Sequence, residues 1–288
     1  MKTGKEMSRL AKGLVAVALG SGLAGVTSSA FAGISSTRHN LSTGGTATTH
    51  TSTGTAEICV FCHTPHAADI STAGVPLWNK RLNTGVGTFT VYSSSTMNAV
   101  GATDGQAGGQ IGSVSLACLS CHDGTQAMDN MLNAPGYGGY ASDGGGTGGV
   151  TYNWVGNADA SGRMTNAATT LSMLGKDLNN DHPIGIQYCG GGVGNQIPAG
   201  TCNDADFTAP TSGNIGGQTV WWVDTGTAGR QKTDMILFNR GFPANGTQAA
   251  GNYPSVECAS CHDPHTSNAQ FLRIANTGSA VCLACHTK

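Results

Sequence analysis

Cys258-Ala259-Ser260-Cys261-His262-Asp263-Pro264-His265 and, a short way on, Cys282-Leu283-Ala284-Cys285-His286 decide how this chain is read. Each holds Cys-x-x-Cys-His, the pattern of c-type haem attachment. Two thiols form thioethers with the porphyrin vinyl groups, and the adjacent His is placed under the iron as proximal ligand. The same pattern recurs upstream at Cys59-Val60-Phe61-Cys62-His63 and Cys118-Leu119-Ser120-Cys121-His122, so the four pairs use eight of the 10 Cys. Structural zinc draws on the same residue types but gives no reason for His to follow the second Cys every time. A thioredoxin-like redox pair needs one motif in a βαβ context, not four among glycines. The spacing therefore predicts four covalently bound haems c, with His63, His122, His262 and His286 as proximal ligands.

Five His remain: His39, His50, His66, His182 and His265. A second protein ligand closes a haem iron and leaves electron transfer as its main chemistry, and five spare His suffice for four irons. The Met residues recur at no fixed offset from the motifs and read as gap fillers around porphyrin. His66 and His265 each follow a proximal His by three residues, across a Pro that stiffens the bridge, so each must ligate a neighbouring haem. The bridge geometry assigns His66 to the haem of Cys118/Cys121 and His265 to that of Cys282/Cys285. His182, in the polar turn Asp177-Leu178-Asn179-Asn180-Asp181-His182-Pro183, is a further ligand; as a calcium loop this turn lacks the Gly and terminal Glu. His39 and His50 compete for the last place. His50 lies in a Ser/Thr-rich stretch, Leu41 to Ala56, that reads as flexible, and is the candidate spare. His39 ligates either the haem of Cys59/Cys62 in its own chain or a haem of the next molecule.

Lys2, Lys5, Arg9 and Lys12 precede a short apolar run, Leu14 to Val26, and Ala30-Phe31-Ala32 fits the small-x-small rule, so residues 1–32 read as a signal peptide. The run is too short and too broken by Gly20, Ser21 and Gly22 for a membrane span, and no later segment supplies one. An exported chain sits in an oxidising compartment, where the two leftover thiols, Cys189 and Cys202, are expected to close a disulfide. Net charge over the full chain is −2, which excludes a basic nucleic-acid binder. Leu, Ile, Val and Phe together make about 17% of the residues, below the ~20% at which a side-chain core is usually in doubt. A helical bundle or α/β enzyme is excluded, and something other than side chains must fill the core.

The expected fold is a loop-rich multihaem cytochrome c, with few short helices and strands wrapped around a row of stacked haems. Its parts are an N-terminal two-haem unit with a flexible arm (33–122), a Gly/Ser/Thr-rich middle with the disulfide (123–257) and a C-terminal two-haem unit (258–288). Short strands are expected at Thr88–Tyr92 and Thr219–Val223, and short helices at the motifs.

Arg38-His39-Asn40-Leu41, the Cys59-to-His66 block, Pro76-Leu77-Trp78-Asn79, the Ser115-to-Gly124 block, Asp181-His182-Pro183 and the two closing motifs resemble exported multihaem cytochromes with doubled Cys-x-x-Cys-His motifs. Within these, the similarity is to the filament-forming tetrahaem cytochromes of metal-respiring microbes. The resemblance implies His39, His66, His182 and His265 as distal ligands and no enzymatic turnover. It also implies head-to-tail self-association into an extracellular or cell-surface filament. The electrons would come from upstream periplasmic or outer-membrane cytochromes and go to external acceptors. A monomeric periplasmic shuttle is the alternative; a multihaem reductase, which needs an open iron, fits the spare His less well.

Overall fold

The computed structural model describes residues 33–46, 48–70, 74–82, 88–105, 109–135, 137–138, 152–166, 171–190, 202–244 and 249–288. The expected leader, 1–32, lies outside them. Gly33–Lys288 is one unit of loops pinned by short elements. In chain order these are β1 (His50–Thr53), β2 (Thr90–Val91), α1 (Ser113–His122), β3 (Asn133–Ala134), β4 (Tyr137–Gly138), β5 (Asn153–Val155), β6 (Asp177–Leu178) and β7 (Ile186–Gln187). They continue with β8 (Thr211–Ile215), β9 (Gln218–Val223), β10 (Met235–Phe242), β11 (Gly251–Val256), α2 (Cys258–Cys261) and α3 (Ala280–Cys285). No helix among the described residues is long and apolar enough to cross a membrane.

The middle of the chain is more ordered than its composition suggests. It builds a five-stranded antiparallel sheet in the order β7-β11-β10-β9-β8. Ile215 pairs with Gln218 across Gly216 and Gly217, both at positive φ (60° and 83°), the two-residue hairpin loop that glycine closes without steric cost. β10 buries Met235 and Leu237 on one face, then Arg240 and Phe242 on the other, so the strand changes its buried side at Asn239.

Among the described residues four small apolar clusters stand in place of one core, and three lie beside attachment motifs. Val60 and Phe61, inside the first motif, pack with Met131, Ala134 and Tyr152. Leu116, Ala117 and Leu119 of α1 pack with Trp78, Leu82, Ile111 and Leu178. Val281 of α3 packs with Tyr188, Cys189, Val223, Met235, Leu237 and Val256, with Cys261 and Cys285 at the margin. The sheet is thus the backing of the C-terminal motifs.

One expectation is corrected. The Leu41–Ala56 stretch is not a free arm where it is described: β1 pairs with β5, Thr51 is fully buried, and its N–H donates to the Leu41 carbonyl at 2.9 Å. Its hydroxyls bond to nearby backbone, and a Cβ at Gly45 would run into the Asn40 carbonyl. Ser/Thr-rich composition here is local hydrogen bonding rather than flexibility.

Candidate haem sites

Three of the four motifs are held by one backbone device. At the first, the Thr64 N–H donates to the Leu77 carbonyl (2.9 Å), the Asn79 N–H donates to the Cys62 carbonyl (2.9 Å), and His63 bridges Trp78. At the third, Asp263 N–H donates to Phe271 (2.7 Å), Arg273 N–H to Cys261 (2.9 Å), and His262 bridges Leu272. At the fourth, Thr287 N–H donates to Asp206 (2.9 Å), Thr208 N–H to Cys285 (2.8 Å), and His286 bridges Phe207. Each motif's second Cys and the residue after its His are stitched to three consecutive residues of a distant loop. Because backbone makes the stitches, no side-chain pattern announces Leu77, Phe271 or Asp206 in the sequence.

Backbone carbonyls also orient three of the proximal imidazoles. Nδ1 of His63 donates to the Pro76 carbonyl (2.8 Å), that of His122 to Ser172 (2.5 Å) and that of His262 to Gln270 (2.8 Å). A carbonyl only accepts, so Nδ1 carries the proton and Nε2 keeps its lone pair for a metal. His182 makes the same kind of bond to Pro183 at 3.0 Å, and His39 donates to the Pro264 carbonyl.

Ring positions then pair the histidines. His39 and His122 have ring centres 6.2 Å apart with planes at 71°, and His63 and His265 lie 6.1 Å apart at 15°. Two imidazoles bound through nitrogens ~2 Å from one metal have ring centres about 6 Å apart, so both pairs fit an iron between them. Burial, with the nearby His122, holds the His39 pKa down at about 4, which favours the neutral ring that ligates. Desolvation lowers the pKa of His182, the bond to Pro183 opposes the shift, and His286 lies near enough to lower it further.

The ring positions differ from the assignments made on bridge geometry. His39, not His66, faces His122, and His265 faces His63 rather than the last motif; His39 also stacks on Phe271 at 4.1 Å. A three-residue bridge fixes how far His265 lies from His262, but tertiary packing decides which ring stands opposite. His50 lies in β1 in register with Val155. His66 and His262 are both exposed; His262 lies near enough to His122 and His39 to lower the pKa of each.

The eight motif cysteines are free thiols, and Cys189 is joined to Cys202 with their Cα atoms 5.1 Å apart. Burial, with Cys285 nearby, pushes the thiol of the part-buried Cys261 up to about 12. Among the described residues no group of three or more His, Cys, Asp or Glu side chains forms a shell for a bare metal ion. Thiols in pairs, each pair followed by a His, suit porphyrin attachment better than thiolate ligation. The Cys118 and Cys258 thiols share a hydrogen bond, which brings the second and third motifs together.

Sequence reasoning passed over the buried polar framework. Asn79, fully buried, donates to the Val60 (2.7 Å) and Asn133 (3.0 Å) carbonyls and accepts from the Asn133 N–H. Lys80, 1% exposed, aims Nζ at the Met128 (2.7 Å) and Ala127 (3.2 Å) carbonyls. Glu257, just before Cys258, accepts from Ser115, Arg240 and the Gly112 N–H; burial raises its pKa while these donors oppose the shift. A Lys, Arg or Glu in a glycine-rich sequence carries no signal that it is internal.

Residues 252–288 match the family described as the doubled CXXCH motif, a feature of multihaem c-type cytochromes. No curated protein is similar enough to the chain to count as a match. The motifs indicate covalently bound c-type haem and electron transfer, in a chain that is loop-rich with few short helices.

Proposed function

We propose that the chain carries four haems c, at Cys59/Cys62, Cys118/Cys121, Cys258/Cys261 and Cys282/Cys285, and passes electrons among them. The observation that carries this is the facing of His39 with His122 and of His63 with His265, at a separation that fits one iron each. A haem iron between two protein ligands supplies a reversible one-electron change and leaves no position for a substrate. The Pro76, Ser172, Gln270 and Pro183 carbonyls hold each Nδ1 proton in place, so His63, His122, His262 and His182 keep Nε2 directed to ligation. Contact of Cys118 with Cys258, and the three-residue bridge from His262 to His265, support close neighbouring haems and a continuous electron path.

The same reading gives His66 a partner in another molecule. With His39 set against His122 and His265 against His63, and His182 assigned in this reading to the iron over His286, His66 and His262 remain, and both are exposed. If His66 of one molecule completes the iron over His262 of the next, the contact is heterologous and propagates as an open filament. The filament is exported to the cell surface or beyond, takes electrons from periplasmic or outer-membrane cytochromes and delivers them to external acceptors. The competing arrangement is a monomeric periplasmic shuttle in which His66 folds onto His262 of its own chain.

Negative-stain imaging combined with spin-state measurement tests this on the mature holoprotein. The wild type should polymerise with all irons low-spin, and His66→Ala should abolish polymer and leave one carbon-monoxide-binding, high-spin haem per chain. Filaments of normal length from His66→Ala would overturn the assembly. A wild type monomeric at all concentrations, with four low-spin haems, would establish the shuttle.

A further inference from the structure

The second and third motifs are joined by a buried charged cluster that attachment chemistry does not require. Ser115 of α1 donates to one Glu257 oxygen and accepts the Cys258 N–H at 3.0 Å, tying the helix of Cys118 to the first residue of α2. The other Glu257 oxygen takes the Arg240 guanidinium from β10, and the Gly112 N–H donates as well. Arg240 continues through Nε to Asp104 (2.7 Å) and through Nη2 to the Gln110 carbonyl (3.0 Å), while the Gly241 N–H donates to Asp104 at 2.7 Å. The Glu257 N–H in turn donates to Ser260 Oγ at 3.0 Å. Glu257 is 1% exposed, Ser115 fully buried and Arg240 8% exposed. Gly112 is required here, because a Cβ would collide with the guanidinium.

This construction is costly. A buried ion pair loses hydration for both partners and is often no more stabilising than an apolar replacement of the same shape. The cluster counts two carboxylates against one guanidinium, so it is net negative. Both Glu257 oxygens accept from N–H and O–H donors, the pattern of an ionised carboxylate. It lies where the Cys118 and Cys258 sulfurs meet, at the junction of two attachment sites. In a poorly screened interior a fixed negative charge favours the oxidised, more positive iron, most strongly at the nearest haems.

We propose that Glu257, held by Arg240 and Ser115, is a positioning residue that keeps the haems of Cys118/Cys121 and Cys258/Cys261 in contact and lowers the reduction potentials of these two selectively. The inference rests on the haem reading above. It makes this pair an intermediate step of lower potential in the electron path, set by protein charge rather than by a different axial ligand.

Potentiometric titration of the mature holoprotein, with haem content measured alongside, tests it. Glu257→Gln keeps the size, removes the charge and leaves one acceptor oxygen of the two, and should raise two of the four one-electron steps while leaving the other two in place. Glu257→Asp keeps the charge on a shorter arm and should leave all four close to wild type. A merely structural Glu257 predicts the reverse, with the shorter Asp disturbing the potentials as much as Gln or more. Equal shifts from both variants, a uniform shift of all four steps, or no shift from Gln overturns the proposal. Should Glu257→Gln fail to mature, Asp104→Asn at the half-exposed end of the same guanidinium decides, with a smaller rise in the same two steps expected and none overturning it. A wild type with no covalent haem would instead sink the haem reading itself.

Discussion

The blocks Cys62-His63-Thr64-Pro65-His66 and Cys261-His262-Asp263-Pro264-His265 differ by one internal residue, Thr against Asp, and their last histidines meet opposite fates. Asp263 Oδ1 accepts the His265 N–H (2.9 Å) and faces its Nδ1 (3.2 Å), with Lys232 3.4 Å from the other carboxylate oxygen. The His265 ring is set in one tautomer and faces His63. Thr64 instead donates its hydroxyl to the His66 carbonyl (3.0 Å), joined by the Asn133 amide (2.8 Å), so the backbone is held and the ring is not. On the assignment proposed above, the ligand used within the chain has its imidazole oriented in advance, and the one proposed for a partner molecule has its backbone placed.

The halves also differ in what braces them, which gives the largest expected effects. The C-terminal motifs lean on the sheet and on the segment after Cys202, where Asp206, Phe207 and Thr208 hold the last motif and Phe207 packs on His286 at 4.6 Å. Replacing Cys189 and Cys202 by Ser should cost ~3 kcal/mol for a loop of this length. The loss should show in chemical denaturation, and the haem at His286 should turn high-spin before the first two. Simultaneous failure of all haems would erase the distinction between halves.

The N-terminal half has no disulfide and relies on Lys80. Lys80→Met should strand the Ala127 and Met128 carbonyls in the interior, at ~2 to 3 kcal/mol, and leave Asp129 without its neighbouring charge. The counterpart downstream, Arg273, caps Ala259 (2.9 Å) and Lys232 (3.0 Å) carbonyls from a more open position, so Arg273→Met should cost about half as much. Denaturation of the two variants side by side checks the ranking.

Asp263→Thr converts the downstream block to the upstream one. The His265 ring loses a charge-assisted acceptor at a half-exposed position, ~1.5 kcal/mol and roughly tenfold in the occupancy of the ligated state. Partial high-spin character confined to one haem should result, visible as carbon monoxide binding. Unchanged spin state would mean that packing against His63 alone orients His265.

The attachment residues were legible because covalent haem binding needs Cys and His side chains at fixed spacing. His39 and His265 stood out in sequence as candidate ligands, but not which ring each faces, since that follows from how α1 packs on α2 through Ser115 and Glu257. The Pro76–Asn79 segment could be quoted from its resemblance to known cytochromes, but its work is done by carbonyls and N–H groups, which any residue could supply. The sheet was half visible: Gln218–Val223 reads as a strand, and Thr90–Val91 falls within a second expected one. β8, with its Gly and Asn, pairs only because the glycine turn folds it onto β9. Arg240 and Glu257 look in sequence like ordinary surface charges.

The smallest effect sharpens the comparison from the other side. Thr64→Asp places at the upstream block the carboxylate that fixes His265 downstream, at a position 5% exposed, much as Asp263 is 6% exposed. An aspartate there would accept the His66 N–H and orient its Nδ1, but it would lose the hydroxyl bond to the His66 carbonyl and gain no equivalent of Lys232. These changes nearly cancel, so the net gain should be below ~1 kcal/mol. If His66 ligates a second molecule, a better oriented ring should lower the protein concentration at which filaments first form by a few-fold, with no change in the spin state of the other haems. If His66 closes an iron in its own chain, the change should be independent of concentration. Light scattering against protein concentration, wild type beside Thr64→Asp, separates the two, and a threshold moved upward would show that freedom of the His66 ring, rather than its orientation, is what assembly uses.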